Sequence, residues 1–214
     1  MKTDDLVNML STNLDAVDWH TVPRKLLGLA ALGALAALVV MVALFGPRTD
    51  ISDSRTWPFL ALKFAFAGAM VALSLAYLLK VARPGGEQRV SLVPMILPFA
   101  IAFSAFAASL AVAPPSDWHA LIFGQHWLFC VACIPLNAIF PFAAIVFALR
   151  QFGSPTNLPR AGALTGLAAG SISAFVYAIN CTDDSVAFIA LWYGLTIALC
   201  TTVGRLLGPR LLHW

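Results

Sequence analysis

Residues 26–45 read LLGLAALGALAALVVMVALF, an apolar run without a charged side chain or a proline. An α-helix needs about 20 such residues to cross the hydrocarbon core of a bilayer, and this run has that length. Segments of similar composition follow at residues 58–79, 92–112, 127–149, 161–179 and 186–203. The sequence therefore predicts an all-α, polytopic membrane protein with six transmembrane helices embedded in a lipid bilayer.

The composition argues against a water-soluble domain. Hydrophobic residues make up 60% of the chain and charged residues 11%, whereas soluble domains carry about a quarter charged residues. The net charge of +3 comes from scattered cations, without a basic patch that would predict direct contact with nucleic acid. The sequence shows no Ser/His/Asp set, phosphate loop or paired carboxylates, so we expect no enzymatic activity, no cofactor and no resident metal.

The distribution of Lys and Arg predicts the orientation of the helices. Most of these cations fall in the N-terminal segment, in the loops after the second and fourth spans, and in the C-terminal tail, whereas the opposite loops hold only Arg48 and Arg55. Cytoplasmic loops are the ones enriched in Lys and Arg. Both termini are therefore predicted to be cytoplasmic, with a segment at residues 1–25, a helical bundle at 26–206 and a tail at 207–214.

The N-terminal segment has the pattern of a short amphipathic helix. Thr3 can cap it, and Asp4 and Asp5 in the first turn suit the positive end of the helix dipole. One apolar stripe follows at helical spacing, formed by Leu6, Met9, Leu10, Leu14 and Val17. Helices that lie on membranes usually carry Lys or Arg on the polar face, but this face is acidic. The acidic face favours docking to a basic protein over lying on an anionic leaflet.

Three features inside the predicted spans allow a structural interpretation. Gly162, Gly166 and Gly170 recur every fourth residue, which lets two helices approach closely; packing inside the bundle is favoured over a homodimer face. Lys63 lies about one turn inside the second span, and we expect its long stem to reach the interface rather than mark a transport path. Trp192 lies deeper, so its indole N–H needs a partner within the bundle.

Three of the four cysteines fall near the predicted outer ends of helices. Cys130 is in the first turn of the fourth span, Cys133 is one turn deeper, and Cys181 is in the loop before the sixth span; Cys200 fits a small core residue. A disulfide is chemically allowed outside the cytoplasm. Cys130 and Cys181 could approach each other there, and the residues leave open whether such a pair is structural or regulatory.

Two other interpretations of the cysteines also stay open. Cys130 and Cys133 form a CxxC pair, a spacing used in thiol–disulfide catalysis, which would suggest a membrane thiol-disulfide oxidoreductase that works with a quinone. His126 and Cys130, at i and i+4 on one helical face, could join Cys133 and Cys181 as nitrogen and sulfur ligands of a soft metal.

Several motifs together resemble the NrsF-type anti-sigma factors. MKTDDL at residues 1–6, followed by Met9 and Leu10, resembles the N-terminal signature of that family. The resemblance continues through Cys130, IPL at 134–136, ALR at 148–150, SPT at 154–156 and AGALTGLAAG at 161–170. It closes with Cys181, Asp184-Ser185, WYG at 192–194 and LGPRLL at 207–212. Cys133 and His213 depart from the family pattern, so the resemblance treats the CxxC as incidental.

The resemblance implies a function for the chain. Proteins of this kind are multi-pass proteins of the bacterial inner membrane that hold an extracytoplasmic-function sigma factor inactive until a stress signal arrives. It implies redox or metal sensing by Cys130 and Cys181 on the periplasmic side, and it leaves homo-oligomerisation open. The residues expected to bind the sigma factor are Asp4, Asp5, Leu6, Met9, Leu10 and Leu14.

Overall fold

The computed structural model describes residues 21–46, 48, 53–86, 91 and 93–213, and within these ranges the chain is helical and contains no strand. The helices are α1 (Thr21–Phe45), α2 (Trp57–Val81), α3 (Val93–Val112), α4 (Trp118–Phe123), α5 (Trp127–Asn137), α6 (Ile139–Phe152), α7 (Leu158–Tyr177) and α8 (Val186–Leu211). The all-α prediction is confirmed. The amphipathic segment predicted at the N-terminus lies outside the described residues.

Five stretches of the described chain are long and apolar enough to cross a membrane: α1, α2, α3, the region Pro115–Phe152 and α8. The remaining predicted span, the fifth, corresponds to α7, which is a 20-residue helix. Gly, Ser and Thr residues lower its hydropathy, and its side chains are buried along nearly the whole helix. A helix enclosed by its neighbours needs no lipid-facing apolar surface, which accounts for this weaker signal.

The fourth predicted span is divided into two helices. α5 ends at Asn137, Ala138 forms a turn, and α6 begins at Ile139. Pro141 has no N–H to donate to the carbonyl group of Asn137, four residues earlier, so one helical hydrogen bond is missing at the division. The sequence predicted one uninterrupted helix here because the apolar pattern runs through the turn unchanged.

α7 and α8 pack with their backbones in close contact. A Cβ atom at Gly162 would lie 2.3 Å from the carbonyl oxygen of Gly204, and one at Gly166 would lie 2.1 Å from that of Cys200. A Cβ atom at Gly204 would in turn meet the carbonyl oxygen of Gly162 at 2.4 Å. The small-residue stripe therefore packs inside the chain, as the sequence favoured, and both helices contribute glycines to the contact.

We expect Gly166→Ala to destabilise the bundle by about 1–3 kcal/mol, the usual cost of overpacking a tight contact. The added methyl group meets a backbone carbonyl, so the two helices must separate to admit it. Gly28→Ala is the matched control, because a Cβ atom there meets nothing within 4 Å. Thermal unfolding in detergent should show a lower Tm for Gly166→Ala alone. Equal Tm values for both variants would contradict the tight contact.

The ends of the long helices form two layers. At one end the N–H of Ser154 donates to the carbonyl group of Ala82 at 2.9 Å, and Lys25 lies 5.8 Å from the ring of Phe152. α1 and α8 bring the first and last described residues to this same end, which we call the tail end. The opposite end carries the loop between α7 and α8, and the polar site lies there.

Candidate functional site

The site is built on the cysteine loop, residues 178–185, which connects α7 to α8. The N–H of Cys181 donates to the carbonyl group of Tyr177 at 3.0 Å, which continues the last turn of α7. Ser185 caps α8, since its Oγ accepts from the N–H of Phe188 at 3.5 Å while donating to the carbonyl group of Leu121 at 2.9 Å. Both ends of the loop are thus fixed to helices.

Two buried cations converge on Asp184 of this loop. Arg48 Nη2 lies 2.8 Å from Asp184 Oδ2, and Lys63 Nζ lies 2.9 Å from Oδ1, which Arg48 Nη1 also contacts at 3.2 Å. Both cations also donate to the carbonyl oxygen of Cys181, at 3.2 Å from Arg48 and 2.9 Å from Lys63. We call these three charged side chains the charge cluster.

The interpretation of Lys63 as a residue that reaches the membrane interface is wrong. Its side chain is 0% exposed, as is that of Arg48. A buried ammonium group without a counter-charge would be strongly unfavourable, and Asp184 supplies that charge from a loop 121 residues further along the chain. The predicted spans contain no acidic residue. The partner of Lys63 is therefore found only when the loops are considered as well.

The chain after α1 is also held against the cysteine loop. Gly46 has a φ of +71° and its N–H donates to the carbonyl group of Val42 at 3.0 Å, so it ends α1 in the left-handed conformation that favours glycine. The Asn180 side chain donates to the carbonyl oxygen of Gly46, and the N–H of Arg48 donates to that of Ile179 at 3.2 Å. Backbone and side-chain contacts therefore join α1 to the loop.

Asp183 binds a different neighbour from Asp184. Its carboxylate accepts from the N–H of Gln125 at 3.0 Å and from the N–H of His126 at 2.9 Å, and His126 Nδ1 lies 3.5 Å away. Gly124 has a φ of +53° and leaves no room for a Cβ atom beside Asp183. The two adjacent carboxylates thus tie the loop to opposite partners: the turn before α5, and the α1 and α2 ends.

The surroundings of the loop shift two pKa values. Burial alone would raise the pKa of Asp184, but the hydrogen bonds from Arg48 and Lys63 outweigh burial and lower it below its usual value. Burial raises the pKa of the Cys181 thiol, although the nearby Lys63 ammonium opposes that rise. Asp184 is therefore ionised and paired, while Cys181 is a protonated thiol at neutral pH.

The predicted sensing residues are both enclosed. All four cysteines lie in the described residues and are free thiols, with Cys130 and Cys181 buried and Cys133 half-buried. Cys130 lies near the other two thiols, and the buried Tyr193 hydroxyl lies near Cys181 without a hydrogen-bond partner in the described part of the chain. The structure therefore brings the predicted pair to the same end of the bundle.

A cavity of 360 Å³ opens beside the thiols. Its lining residues combine apolar and polar groups: Phe45, Arg48, His126, Phe129, Cys133, Tyr177, Asn180, Cys181 and Thr182. In the part of the chain that the structure describes, no three His, Cys, Asp or Glu side chains form a metal-binding group. His126 faces Asp183 instead. Of the two cysteines of the CxxC pair, Cys130 is buried and Cys133 lines the cavity.

The sequence did not predict the charge cluster, but it did predict that the Trp192 indole has a hydrogen-bond partner inside the bundle. The indole N–H of Trp192 donates to the carbonyl oxygen of Ile122 at 2.7 Å, which confirms the partner predicted inside the bundle. Trp192 lies in a π-helical turn, Ile189–Tyr193, within α8. The signal for the cluster was the isolated Arg48 in a cation-poor loop together with the Asp184-Ser185 motif. The predicted sigma-binding residues, Asp4 to Leu14, lie outside the described part.

The fold and the site together define a helical protein with five stretches long and apolar enough to cross a membrane, and with a polar site built on a loop between two helices. Comparison with known proteins identifies its family: the family described as NrsF, negative regulator of sigma F, matches residues 10–214, and the chain belongs to it. No solved structure matches the chain.

Two relatives match along their full length. A protein of Azospira oryzae named probable anti-sigma-F factor NrsF is 31% identical over 214 residues, and the anti-sigma-F factor NrsF of Caulobacter vibrioides is 28% identical over 219 residues. Each match covers 100% of this chain and 100% of the relative. Both names describe anti-sigma-F factors, and the resemblance drawn from the sequence is confirmed at the level of the family.

Proposed function

We propose that this chain is an inner-membrane anti-sigma factor that sequesters an extracytoplasmic-function sigma factor related to sigma F. In this proposal both termini are cytoplasmic, the N-terminal segment binds the sigma factor, and the cysteine loop faces the periplasm. The observation that carries the proposal is the family match over residues 10–214, together with relatives named as anti-sigma-F factors that align over their whole length.

The bundle geometry supports this orientation. The first and last described residues lie at the tail end, as two cytoplasmic termini would require. Lys80, Arg83, Arg150 and Arg160 lie in or beside the connections at that same end, where cytoplasmic cations are expected. At the opposite end, Arg48 is taken up by the ion pair with Asp184. The charge of Arg48 is therefore explained by this ion pair. It does not argue against a periplasmic position of the loop that contains Arg48.

The N-terminal segment suits a sigma factor as its partner. Sigma factors present basic surfaces to DNA and apolar grooves to the core polymerase, so an acidic amphipathic helix can compete for both. Leu6, Leu10 and Leu14 would enter a groove, while Asp4 and Asp5 would pair with Lys or Arg at its rim. A segment this short can order on binding, and the entropy cost of that ordering weakens the complex enough for a signal to release it.

The cysteines supply the proposed input. Cys130 and Cys181 match the family pattern and lie at the end of the bundle opposite the tail end. When a stress reaches the periplasm, a disulfide or a soft metal ion could join them there. Cys181 is also part of the loop that holds the end of α1. Because α1 directly follows the N-terminal segment, a change at Cys181 can be passed along the 25-residue length of α1 to the sigma-binding residues.

Affinity purification from detergent-solubilised membranes tests the proposal. We expect a sigma factor to co-purify with the full chain and to be absent when residues 1–20 are removed. The truncated protein must accumulate in the membrane at the level of the full chain, which controls for folding. If no sigma factor is recovered with the full chain under reducing or oxidising conditions, the proposed function is wrong.

A further inference from the structure

We infer that Arg48, Lys63 and Asp184 act as a charged latch that couples the state of the Cys181 loop to α1, and that the closed latch is the form that retains the sigma factor. This inference rests on the proposed function and names the residues that transmit the signal. Arg48 and Lys63 are positioning residues in it, since they act through the Cys181 peptide group and not on the sigma factor.

The latch holds Cys181 through its backbone. Each cation donates at once to the Asp184 carboxylate and to the Cys181 carbonyl oxygen, at distances between 2.8 and 3.2 Å. The peptide group of Cys181 therefore cannot move without weakening two charge-assisted hydrogen bonds, which are stronger than neutral ones. One bond leads to Arg48, three residues after the end of α1, and the other leads to Lys63 in α2, so a displacement at Cys181 affects both helices.

The charges of the cluster favour two discrete states. Two buried cations share one carboxylate, and the nearest other acid of the loop, Asp183, is occupied by the backbone N–H groups of Gln125 and His126. The Cys181 carbonyl group therefore contributes to the solvation of both cations. When that carbonyl leaves, the Lys63 ammonium keeps Asp184 as its ion-pair partner but loses one of its two hydrogen bonds in a buried site, which is unfavourable. Opening should then be cooperative, as expected of a switch element.

The closed latch coexists with free thiols. Forming a disulfide between Cys130 and Cys181 removes two electrons and two protons, which pass to a thiol oxidant such as a diazene, and it joins a helix to the loop. Both residues are buried, so the new bond would change packing inside the bundle at the loop. α1 can pass this change on, because a Cβ atom at Gly33 would lie only 2.6 Å from Pro141 Cα, a contact between two helix backbones.

Lys63→Met provides the main test. It removes the link to α2 and leaves Arg48 and Asp184 as a balanced pair of similar packing volume, so the variant should still fold. In membranes kept under a thiol reductant, we expect it to retain the sigma factor roughly 5- to 150-fold less tightly than the unmodified chain, the usual range for coupled sites. Hydrogen exchange at residues 178–185 should become faster, since the loop loses a fixed contact.

Three comparisons isolate the latch. Lys80→Met makes the same change at the tail end of the same helix, where the side chain lies 5.3 Å from the Tyr77 ring, and should leave exchange in the loop unchanged. Asp183→Asn loosens the loop on its other side and should leave retention unchanged. Lys63→Met should release the sigma factor even when Cys130 and Cys181 are serines, because the latch acts after the thiols. Arg48→Met, which leaves Lys63 and Asp184 as an ion pair, is the second variant if Lys63→Met does not accumulate.

The outcomes separate this inference from the proposed function. If the unmodified chain binds a sigma factor and Lys63→Met binds it equally well, the latch is overturned while the proposed function stands. The latch is also overturned if Lys63→Met speeds hydrogen exchange in the loop without any loss of sigma-factor retention. If the unmodified chain binds no sigma factor, the proposed function fails, and the latch fails with it.

Discussion

Replacing Leu6 and Leu10 together by aspartate should abolish retention of the sigma factor at the membrane. Burying one leucine side chain is worth about 1.5–3 kcal/mol, so losing two from a groove costs at least about 3 kcal/mol, or more than a hundredfold in affinity. Two new carboxylates would also have to be desolvated in that groove. We expect the sigma factor to become soluble while the anti-sigma factor stays in the membrane.

A charge-matched control separates groove binding from a general effect of charge. On the predicted helix, Asn8 and Thr12 lie on the face opposite the apolar stripe. Asn8→Asp with Thr12→Asp adds the same two negative charges without removing an apolar side chain, and retention should be kept. For both variants, cells are fractionated and the amount of sigma factor in the membrane and soluble fractions is measured. Equal retention by the leucine variant and the control would show that the stripe is not the binding surface.

The sequence predicted the helices better than it predicted the polar contacts between them. Apolar length decides whether a segment can span a bilayer, and that information is local, so the 26–45 run already indicates α1. The division at Ala138 was missed because the apolar pattern continues through it. The packing of Gly166 on Cys200 could be anticipated from the glycine spacing, although the spacing alone does not name the partner helix.

The site was predictable in part only, for a physical reason. Cys130 and Cys181 could be placed at one end of the bundle because each lies next to a helix end. Lys63 was misjudged because its counter-charge comes from Asp184, and a contact across 121 residues leaves no periodic trace in a sequence. An intramembrane lysine is expensive unless it is paired. The better inference from Lys63 would therefore have been to look for an acid in every loop at the same end.

Replacing Cys130 and Cys181 together by serine should abolish the response to thiol-directed stress while leaving basal retention of the sigma factor intact. Serine is close to cysteine in size and cannot form a disulfide. The closed arrangement of the loop should therefore persist. Neither disulfide formation nor thiolate ligation of a soft metal remains available. We expect treatment of cells with a thiol oxidant or a soft metal ion to release the sigma factor from the unmodified protein only.

The size of the required effect explains why these thiols are the appropriate input. Shifting a two-state equilibrium from 1:99 to 99:1 takes about 5.5 kcal/mol of differential stabilisation. A covalent bond or a metal ligated by two thiolates can supply this, whereas one surface hydrogen bond, worth about 1 kcal/mol, cannot. Cys133→Ser and Cys200→Ser are the matched controls and should respond normally. If the double variant still releases its sigma factor under every such stress, the signal enters elsewhere. If Cys133→Ser alone is silent, the entry point is Cys133, which also lines the cavity.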